Sequence, residues 1–291
     1  MNDFILLRPT GISEAIEMLD KYGSKAALKA GGTDLIIWMK KFLVKPDYLI
    51  DLTLIDELKS LQISNKELTI GAMVSVNQLM KYNIVKTKFK ALYDACRLHS
   101  DPIIRNKATV VGNLCSAVPS GDLIPPLYCY DALVNIESVE GKRKVTINDF
   151  IKGPKTTSLK PNELVTGITI PIPEGSTSGC FLKIGRRRAL DIAQAGVCCT
   201  LTNEPSKKYH LSFCAVSPKP VRALEAEKIL NNASKIDDAL LDKVSESIVN
   251  VINPISDARA SKEYRTEMIK QLTKRAILKC NYPDFERGGT M

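Results

Sequence analysis

The sequence predicts an α+β fold in three parts, and three observations support this prediction. Residues 1–52 alternate strand-like apolar runs with two helical patterns, as expected for a small β-α-β unit. Residues 53–173 mix hairpin and helical patterns and predict a larger α+β part. Residues 178–285 contain three strand patterns followed by three helical patterns, which indicates an antiparallel sheet with helices. We therefore predict domains at 1–52, 53–173 and 178–285.

The first part alternates short strands and helices. A proline ends the first strand, and Ser13 is a candidate N-cap of the helix that follows, whose apolar residues have helical spacing. The predicted elements are a strand at 4–10, a helix at 14–21, a strand at 25–28, a helix at 35–41 and a strand at 48–52.

A glycine pair separates the second strand from the second helix. The loop consists of Leu28, Lys29, Ala30, Gly31, Gly32, Thr33, Asp34 and Leu35. Glycines let the backbone approach a ligand closely, and the free N–H groups at a helix start suit a phosphate. Thr33 and Asp34 are also good capping residues, so a capped turn without a ligand is the alternative. The usual Gly-x-Gly-x-x-Gly dinucleotide fingerprint is absent from this part.

The second part begins with a hairpin and ends with strands. Between them lies a segment rich in proline, glycine, serine and asparagine, which contains a second candidate phosphate loop at Thr109–Asn113. The predicted strands are 61–63, 68–71, 134–137, 144–147 and 163–171, and the predicted helices are 75–82, 89–98 and 127–133.

The third part follows a linker-like segment at 173–179. Its predicted strands are 180–184, 196–202 and 210–216, and its predicted helices are 222–230, 238–252 and 261–280.

The composition is that of an ordinary globular protein. Of the 291 residues 44% are hydrophobic and 25% charged, and the net charge of +9 could steer an anionic ligand or an acidic partner. No apolar run approaches the roughly 20 residues of a membrane helix. We also find no secretory signal, so we expect no membrane span and a cytoplasmic location.

The eight cysteines show no metal-binding spacing. None forms a Cys-x-x-Cys pair, and only His99 and His210 could supplement them. We therefore predict no metal in this chain, and buried thiols in a reducing compartment.

Four motifs in order resemble the FAD-binding (medium) subunits of the molybdenum hydroxylases over nearly the whole chain. This family includes the carbon monoxide dehydrogenase medium chain, the flavin domain of xanthine dehydrogenase and the FAD subunit of nicotinate dehydrogenase. The motifs are Phe4 with Arg8-Pro9-Thr10 and Glu14-Ala15, the loop at 30–35, the segment 104–113 followed by Pro119 and 122–127, and the segment 256–265.

The resemblance implies a non-covalent FAD site and no catalytic or metal-binding residues in this chain. The backbone of the first loop, Leu28 to Leu35, would wrap the FAD diphosphate. The second loop would hold it from the other side through Thr109, Val110, Val111, Gly112 and Asn113. The remaining implied contacts are Asp122 to sugar or ribityl hydroxyls, Val165 to the adenine end, Lys183 to the flavin side, and His99 and Ser100 against the cofactor.

Val111 departs from the family pattern. The family usually has a second glycine there, and a β-branched residue disfavours positive φ. We therefore expect an extended backbone at Val111. The chain also lacks the cysteine-rich insert by which some relatives that reduce aromatic thioesters hold an iron–sulfur cluster.

The resemblance implies an electron-transfer subunit of a larger oxidoreductase. An iron–sulfur subunit and a molybdenum-binding subunit would carry the other cofactors, and FAD would pass electrons to NAD(P), a quinone or another carrier. The substrate stays open among nicotinate, purines, aldehydes and carbon monoxide.

Simpler explanations exist for individual residues. Asp122 could cap a helix, Lys183 could be an exposed charge on an edge strand, and His99 could be structural. Arg186-Arg187-Arg188 could meet a nicotinamide nucleotide phosphate or an acidic partner, although such clusters are usually solvated.

Two other function classes compete. A stand-alone flavin oxidase of the vanillyl-alcohol-oxidase type shares the cofactor-binding architecture, but its chains are longer. A nucleic-acid-binding module ranks last, because aromatic content is only 6% and no basic stretch alternates with aromatics.

Overall fold

The computed structural model describes residues 1–187, 190–204 and 206–282. These residues form two units, each built from several chain segments. Unit 1 contains Met1–Leu79, Asp101–Ser116 and Asp131–Pro171, and unit 2 contains Met80–Ser100, Ala117–Tyr130 and the described residues from Ile172 onward.

The elements of the described residues are as follows. The strands are β1 (Ile5–Leu7), β2 (Ala26–Lys29), β3 (Tyr48–Asp51), β4 (Leu61–Ser64), β5 (Glu67–Gly71), β6 (Leu133–Ser138), β7 (Gly141–Thr146), β8 (Ile151–Gly153), β9 (Thr156–Thr157), β10 (Leu164–Pro171), β11 (Thr177–Ile184), β12 (Ala195–Thr202), β13 (Lys208–Cys214) and β14 (Val221–Arg222). The α-helices are α1 (Ile12–Tyr22), α2 (Leu35–Lys40), α3 (Val76–Leu79), α4 (Asn83–Thr87), α5 (Lys90–Leu98), α6 (Pro102–Arg105), α7 (Val110–Ser116), α8 (Ile124–Cys129), α9 (Ile147–Phe150), α10 (Leu224–Asn231), α11 (Asp238–Ser247) and α12 (Lys262–Asn281).

Unit 1 contains the predicted small β-α-β unit and a larger sheet. β1, β3 and β2 form a parallel sheet in that order. The larger sheet is antiparallel in the order β4-β5-β10-β6-β7, and its central strand β10 has a bulge between Val165 and Gly167. Alternate residues such as Leu68 and Ile70 of β5 are fully buried, as the period of two predicts. The predicted hairpin at residues 61–71 is confirmed.

Unit 2 contains the antiparallel sheet β11-β12-β13-β14 with helices on both faces. α12 and α10 pack on one face, and α5 and α8 also pack against this sheet. The neighbouring residues Cys198 and Cys199 are therefore both fully buried, although successive strand residues point to opposite faces. The α+β prediction for the whole chain is confirmed.

Three local predictions are wrong. Ser13 lies inside α1, whose N-cap is Gly11. The helix predicted at 127–133 is α8, which begins at Ile124 because its two prolines fit a first turn, where their missing N–H is not needed. The helix predicted at 75–82 ends at Leu79, and a separate helix, α4, follows it. None of the helices in the described ranges combines the length and apolar character needed to cross a bilayer.

Candidate functional site

The first glycine loop packs directly on the segment that leads into the second loop. A Cβ atom placed on Gly31 would lie 1.8 Å from the carbonyl oxygen of Lys107, so no side chain fits at this position. Gly32 has φ +76°, which is the left-handed region that favours glycine. The two loops that the sequence singles out are therefore neighbours within unit 1.

The first loop presents N–H groups that the described residues do not use. The first backbone bond of α2 is donated by Ile36 to the Gly32 carbonyl at 3.1 Å. The N–H groups of residues 31–35 have no acceptor among the described residues. A run of such amides is a donor set suited to phosphate oxygens.

Asp34 stands at the N-cap position of α2, but the side-chain capping bond that the simpler explanation expects is absent. Its side chain accepts no hydrogen bond from the helix backbone. Its Oδ2 atom instead accepts from the Ser116 hydroxyl at 2.7 Å, at the far end of α7. This bond ties the first loop to the helix of the second loop.

The second loop is the start of a helix. The Thr109 hydroxyl oxygen accepts from the Gly112 N–H at 2.9 Å and so acts as a helix cap, and α7 begins at Val110. Val111 is buried in α7, and the extended backbone expected there is wrong, because a helical φ suits a β-branched residue without needing glycine. The Val111 N–H has no acceptor among the described residues.

An ion pair supports the first loop. Lys29 Nζ donates to Asp51 Oδ1 at 2.9 Å, and the Thr53 N–H donates to the same oxygen at 3.2 Å. Burial alone would raise the pKa of Asp51, but the hydrogen bonds from Thr53 and Lys29 outweigh it and lower this pKa. The Lys29 stem lies beneath Gly32, with Cε 3.4 Å from a Cβ built there.

A cluster of charged side chains forms in unit 2. Lys183 Nζ donates to Asp122 Oδ2 at 2.7 Å and to the Asp191 carbonyl at 3.1 Å. His99 Nδ1 lies 3.6 Å from Asp122 Oδ2. Asp122 Oδ1 and His99 Nδ1 are buried without a hydrogen-bond partner in the described residues. Ser100, next to His99, has φ +47°.

These contacts contradict two of the simpler explanations. Asp122 does not cap α8, whose N-cap is Leu123, because its carboxylate faces Lys183. Lys183 does lie on the edge strand β11, but its ammonium group is buried against Asp122 and is not an exposed charge.

The remaining predicted residues lie apart from these contacts. Val165 is buried in β10, next to the bulge, and pairs with Ile136. β10 packs against α7, the helix that begins in the second loop. Arg187 is exposed and donates to the Leu190 carbonyl at 2.7 Å, and Arg188 lies outside the described residues.

Sequence reasoning missed Asp51, Ser116 and Asp191 as supports of these groups. Their partners are Lys29, Asp34 and Lys183, in that order, and each pair is separated by at least eight positions in the sequence. No local motif marked them.

The cysteines are free thiols, and seven of the eight are buried, as predicted. Burial raises the pKa of the Cys214 thiol well above its usual value, so this thiol stays protonated and unreactive. The described residues contain no group of three His, Cys, Asp or Glu side chains that could hold a metal ion.

Two family matches cover most of the chain. Residues 2–173 match the FAD binding domain in molybdopterin dehydrogenase. Residues 181–280 match the CO dehydrogenase flavoprotein C-terminal domain.

Curated relatives and solved structures agree with these matches. The chain is 33% identical to the glyceraldehyde dehydrogenase medium chain of Sulfolobus acidocaldarius, over 94% of this chain and 97% of the relative. It is 32% identical to the xanthine dehydrogenase FAD-binding subunit of Escherichia coli, over 93% of each chain. A chain of the reconstituted CO dehydrogenase from Oligotropha carboxidovorans superposes with a TM-score of 0.92 at 30% identity, over 96% of this chain and 98% of that one.

Proposed function

This chain belongs to the family of FAD-binding domains in molybdopterin dehydrogenases, and we propose from this that it carries electrons through FAD in a multi-subunit molybdenum hydroxylase. It is the flavoprotein subunit type of molybdenum-containing dehydrogenases, which are oxidoreductases. The chemistry that bound FAD supplies is the acceptance of single electrons and the transfer of a hydride onward. The chain's own residues bind and orient this cofactor.

The observation that carries the proposal is the pair of loops in unit 1. The N–H groups of residues 31–35 and of Val111 have no acceptor in the described residues, so they can donate to the oxygens of a diphosphate. Asp34, the acidic residue of the first loop, is held by Ser116, so its carboxylate is engaged by a hydroxyl donor. The close contact of Gly31 with Lys107 keeps the two loops together.

For unit 2 we propose, on the family resemblance, that Asp122 contacts a FAD hydroxyl. Asp122 Oδ1 is an acceptor without a partner in the described residues, and a sugar or ribityl hydroxyl is a suitable donor for it. Lys183 supplies the opposite charge that keeps the Asp122 carboxylate in place. We propose contacts from His99, Ser100 and Val165 on the family resemblance.

The electron path requires partners. We propose, on the family resemblance, that the molybdenum cofactor and the iron–sulfur clusters lie in other subunits. The proposed acceptor is NAD or NADP, with a quinone as the alternative, and the substrate is set by the molybdenum subunit. Eight free thiols suit a reducing compartment such as the cytoplasm.

Reconstitution of the purified chain tests this proposal. We expect the chain to retain yellow flavin absorbance after mixing with FAD and desalting, and acid precipitation to release the flavin. Anaerobic NADH or NADPH should then bleach the bound flavin.

Each outcome separates the candidates. A chain that binds no flavin contradicts the proposed function. Flavin retained in the acid pellet favours a covalent oxidase of the vanillyl-alcohol-oxidase type. If neither NADH nor NADPH reduces the bound flavin, the electron acceptor is a quinone or another carrier.

A further inference from the structure

The turn that ends α2 places a phenylalanine where glycine is usual. The Phe42 N–H donates to the Met39 carbonyl at 3.1 Å, and the Leu43 N–H donates to the Trp38 carbonyl at 2.9 Å. This pair of bonds defines a Schellman motif, whose left-handed position is normally glycine. Here that position is Phe42, with φ +58°.

This conformation is unfavourable for a bulky side chain, and burial does not compensate for it. A left-handed backbone at a residue with a large side chain is a genuine outlier. The side chain of Phe42 is 52% exposed, so packing within the described residues does not account for it. Strained positions of this kind cluster at functional sites, and an observed outlier is therefore a reason to look for a function of the side chain.

Phe42 belongs to an apolar and basic surface, which we call the α2 patch. Its apolar members are Ile37, Phe42 and Leu43, which are 51%, 52% and 63% exposed. Its basic members are Lys40, Lys41 and Lys45, which are all exposed. Ile37, Lys40 and Lys41 share one helix face by their spacing. Lys45 Nζ lies 5.9 Å from the centre of the Phe42 ring.

The patch is carried by an anchored helix. Met39 is buried, and the Trp38 ring is covered by Lys155, whose Nζ lies 5.2 Å from the ring centre. The same helix begins directly after the first glycine loop, and its six residues rise about 9 Å. A partner bound at the patch would therefore lie one short helix away from the proposed diphosphate site.

We propose that the α2 patch is the docking site of another subunit of the complex, one that presents an apolar pocket edged by carboxylates. This inference rests on the proposed function, which requires partner subunits. Charge favours this occupant, since three lysines surround the apolar side chains and complement an acidic rim. A second copy docked by the same patch would set lysines against lysines, which is repulsive. A partly exposed aromatic that enters a pocket on its partner is the usual anchor of an interface.

The test is assembly of the complex with Phe42→Gly. The chain would be co-expressed with the iron–sulfur and molybdenum subunits of its source, and the assembled complex measured by size-exclusion chromatography. We expect Phe42→Gly to lower the affinity for the partner at least about tenfold, as loss of an anchor does. The melting temperature of the isolated chain should rise, because glycine relieves the strained backbone. Loss of assembly together with a gain in stability cannot come from misfolding.

Two further variants make the test specific. Ile63→Ser removes a side chain of 57% exposure from β4, outside the patch, and should leave assembly unchanged. The double variant Lys41→Glu with Lys45→Glu keeps the apolar residues and should also weaken assembly, more so at low salt.

Several outcomes would overturn the inference. Assembly of Phe42→Gly at the wild-type level does so, as does an equal loss with Ile63→Ser. Binding of the isolated chain to phosphatidylglycerol vesicles that Phe42→Gly abolishes, with assembly intact, would reassign the patch to a membrane surface. A self-association of the isolated chain that Phe42→Gly abolishes would reassign it to a second copy.

Flavin binding separates this inference from the proposed function. If the wild-type and Phe42→Gly chains both hold FAD and assemble equally well, only the docking site is contradicted. If the wild-type chain holds no FAD, the proposed function is contradicted, whatever the result for the patch. If the wild-type chain holds FAD but does not assemble with those subunits, both the docking site and the proposed partners are contradicted.

Discussion

The loop pair of unit 1 and the charged cluster of unit 2 are built in opposite ways. In the loops the free donors are main-chain N–H groups, and the close approach depends on Gly31 having no side chain. In the cluster His99, Asp122 and Lys183 come from three separate segments and meet through their side chains. The first arrangement depends on how closely two backbones approach. The second depends on each charge keeping its partner.

This difference predicts how each region responds to change. A main-chain donor survives most substitutions of its own side chain, but a new Cβ atom at a close backbone contact displaces it. A buried ion pair tolerates the loss of both charges better than the loss of one, because the remaining charge is left without a partner. Substitutions in the two regions therefore test the comparison directly.

The largest effect is expected for Lys183→Met in unit 2. This change leaves the Asp122 carboxylate buried without its cation, and removal of one member of such a pair costs about 3–5 kcal/mol. We expect the free energy of unfolding, measured with urea by circular dichroism, to fall by that order. The double variant Asp122→Asn with Lys183→Met should recover much of the loss.

An exposed pair provides the control for this prediction. Lys228 and Glu225 on α10 lie 3.1 Å apart, and both are well exposed. Lys228→Met should change stability by less than about 1 kcal/mol. Equal effects of Lys183→Met and Lys228→Met would show that the cluster is no more than a surface pair.

The cluster could be named from the sequence only through the family resemblance. Residues 99, 122 and 183 share no local pattern, and Asp122 beside Ser120 and Gly121 favours a helix cap. The fold decides otherwise, because it places the Lys183 ammonium 2.7 Å from the carboxylate. Asp191 could not be predicted at all, since its contact with Lys183 uses a backbone carbonyl.

A second, intermediate effect is expected for Gly31→Ala in unit 1. The added Cβ would meet the Lys107 carbonyl at 1.8 Å, so the two loops must move apart. Overpacking of this kind costs about 1–3 kcal/mol of stability. We expect the cost to fall on the loop arrangement that binds FAD, which would weaken FAD binding about 5- to 150-fold. Quenching of flavin fluorescence on titration with the protein measures this affinity.

Gly153→Ala is the matched control, because nothing lies within 4 Å of a Cβ at that position. FAD affinity should stay at the wild-type value in this variant. Undiminished affinity in Gly31→Ala would mean that close approach of the loops is not needed for the cofactor.

The loops show what local sequence can and cannot predict. The glycine pair predicts a bend between a strand and a helix, and the structure has this bend between β2 and α2. In the second loop the extended backbone predicted at Val111 is wrong, since Thr109 caps a helix that begins without a glycine. The sequence gives no local signal at Phe42, because no glycine stands there to mark the end of a helix.

The smallest expected effect concerns acid and the ion pair beneath the first loop. Burial acts to raise the pKa of Asp51, but hydrogen bonds from Thr53 and Lys29 outweigh burial, so the folded pKa lies below the ordinary value of 3.8. A depressed carboxyl pKa adds stability that is fully present above pH 3.8 and is lost as the pH falls through the folded pKa. In that window the unfolded chain binds a proton that the folded chain does not, so the free energy of unfolding falls.

Asp51→Asn should remove this part of the acid dependence, measured as melting temperature between about pH 5 and pH 3. Asp56, whose side chain is 89% exposed, supplies the control Asp56→Asn. Equal acid profiles for the wild type and Asp51→Asn would mean that the loop's support is not electrostatic, and that unit 1 relies on backbone contacts alone.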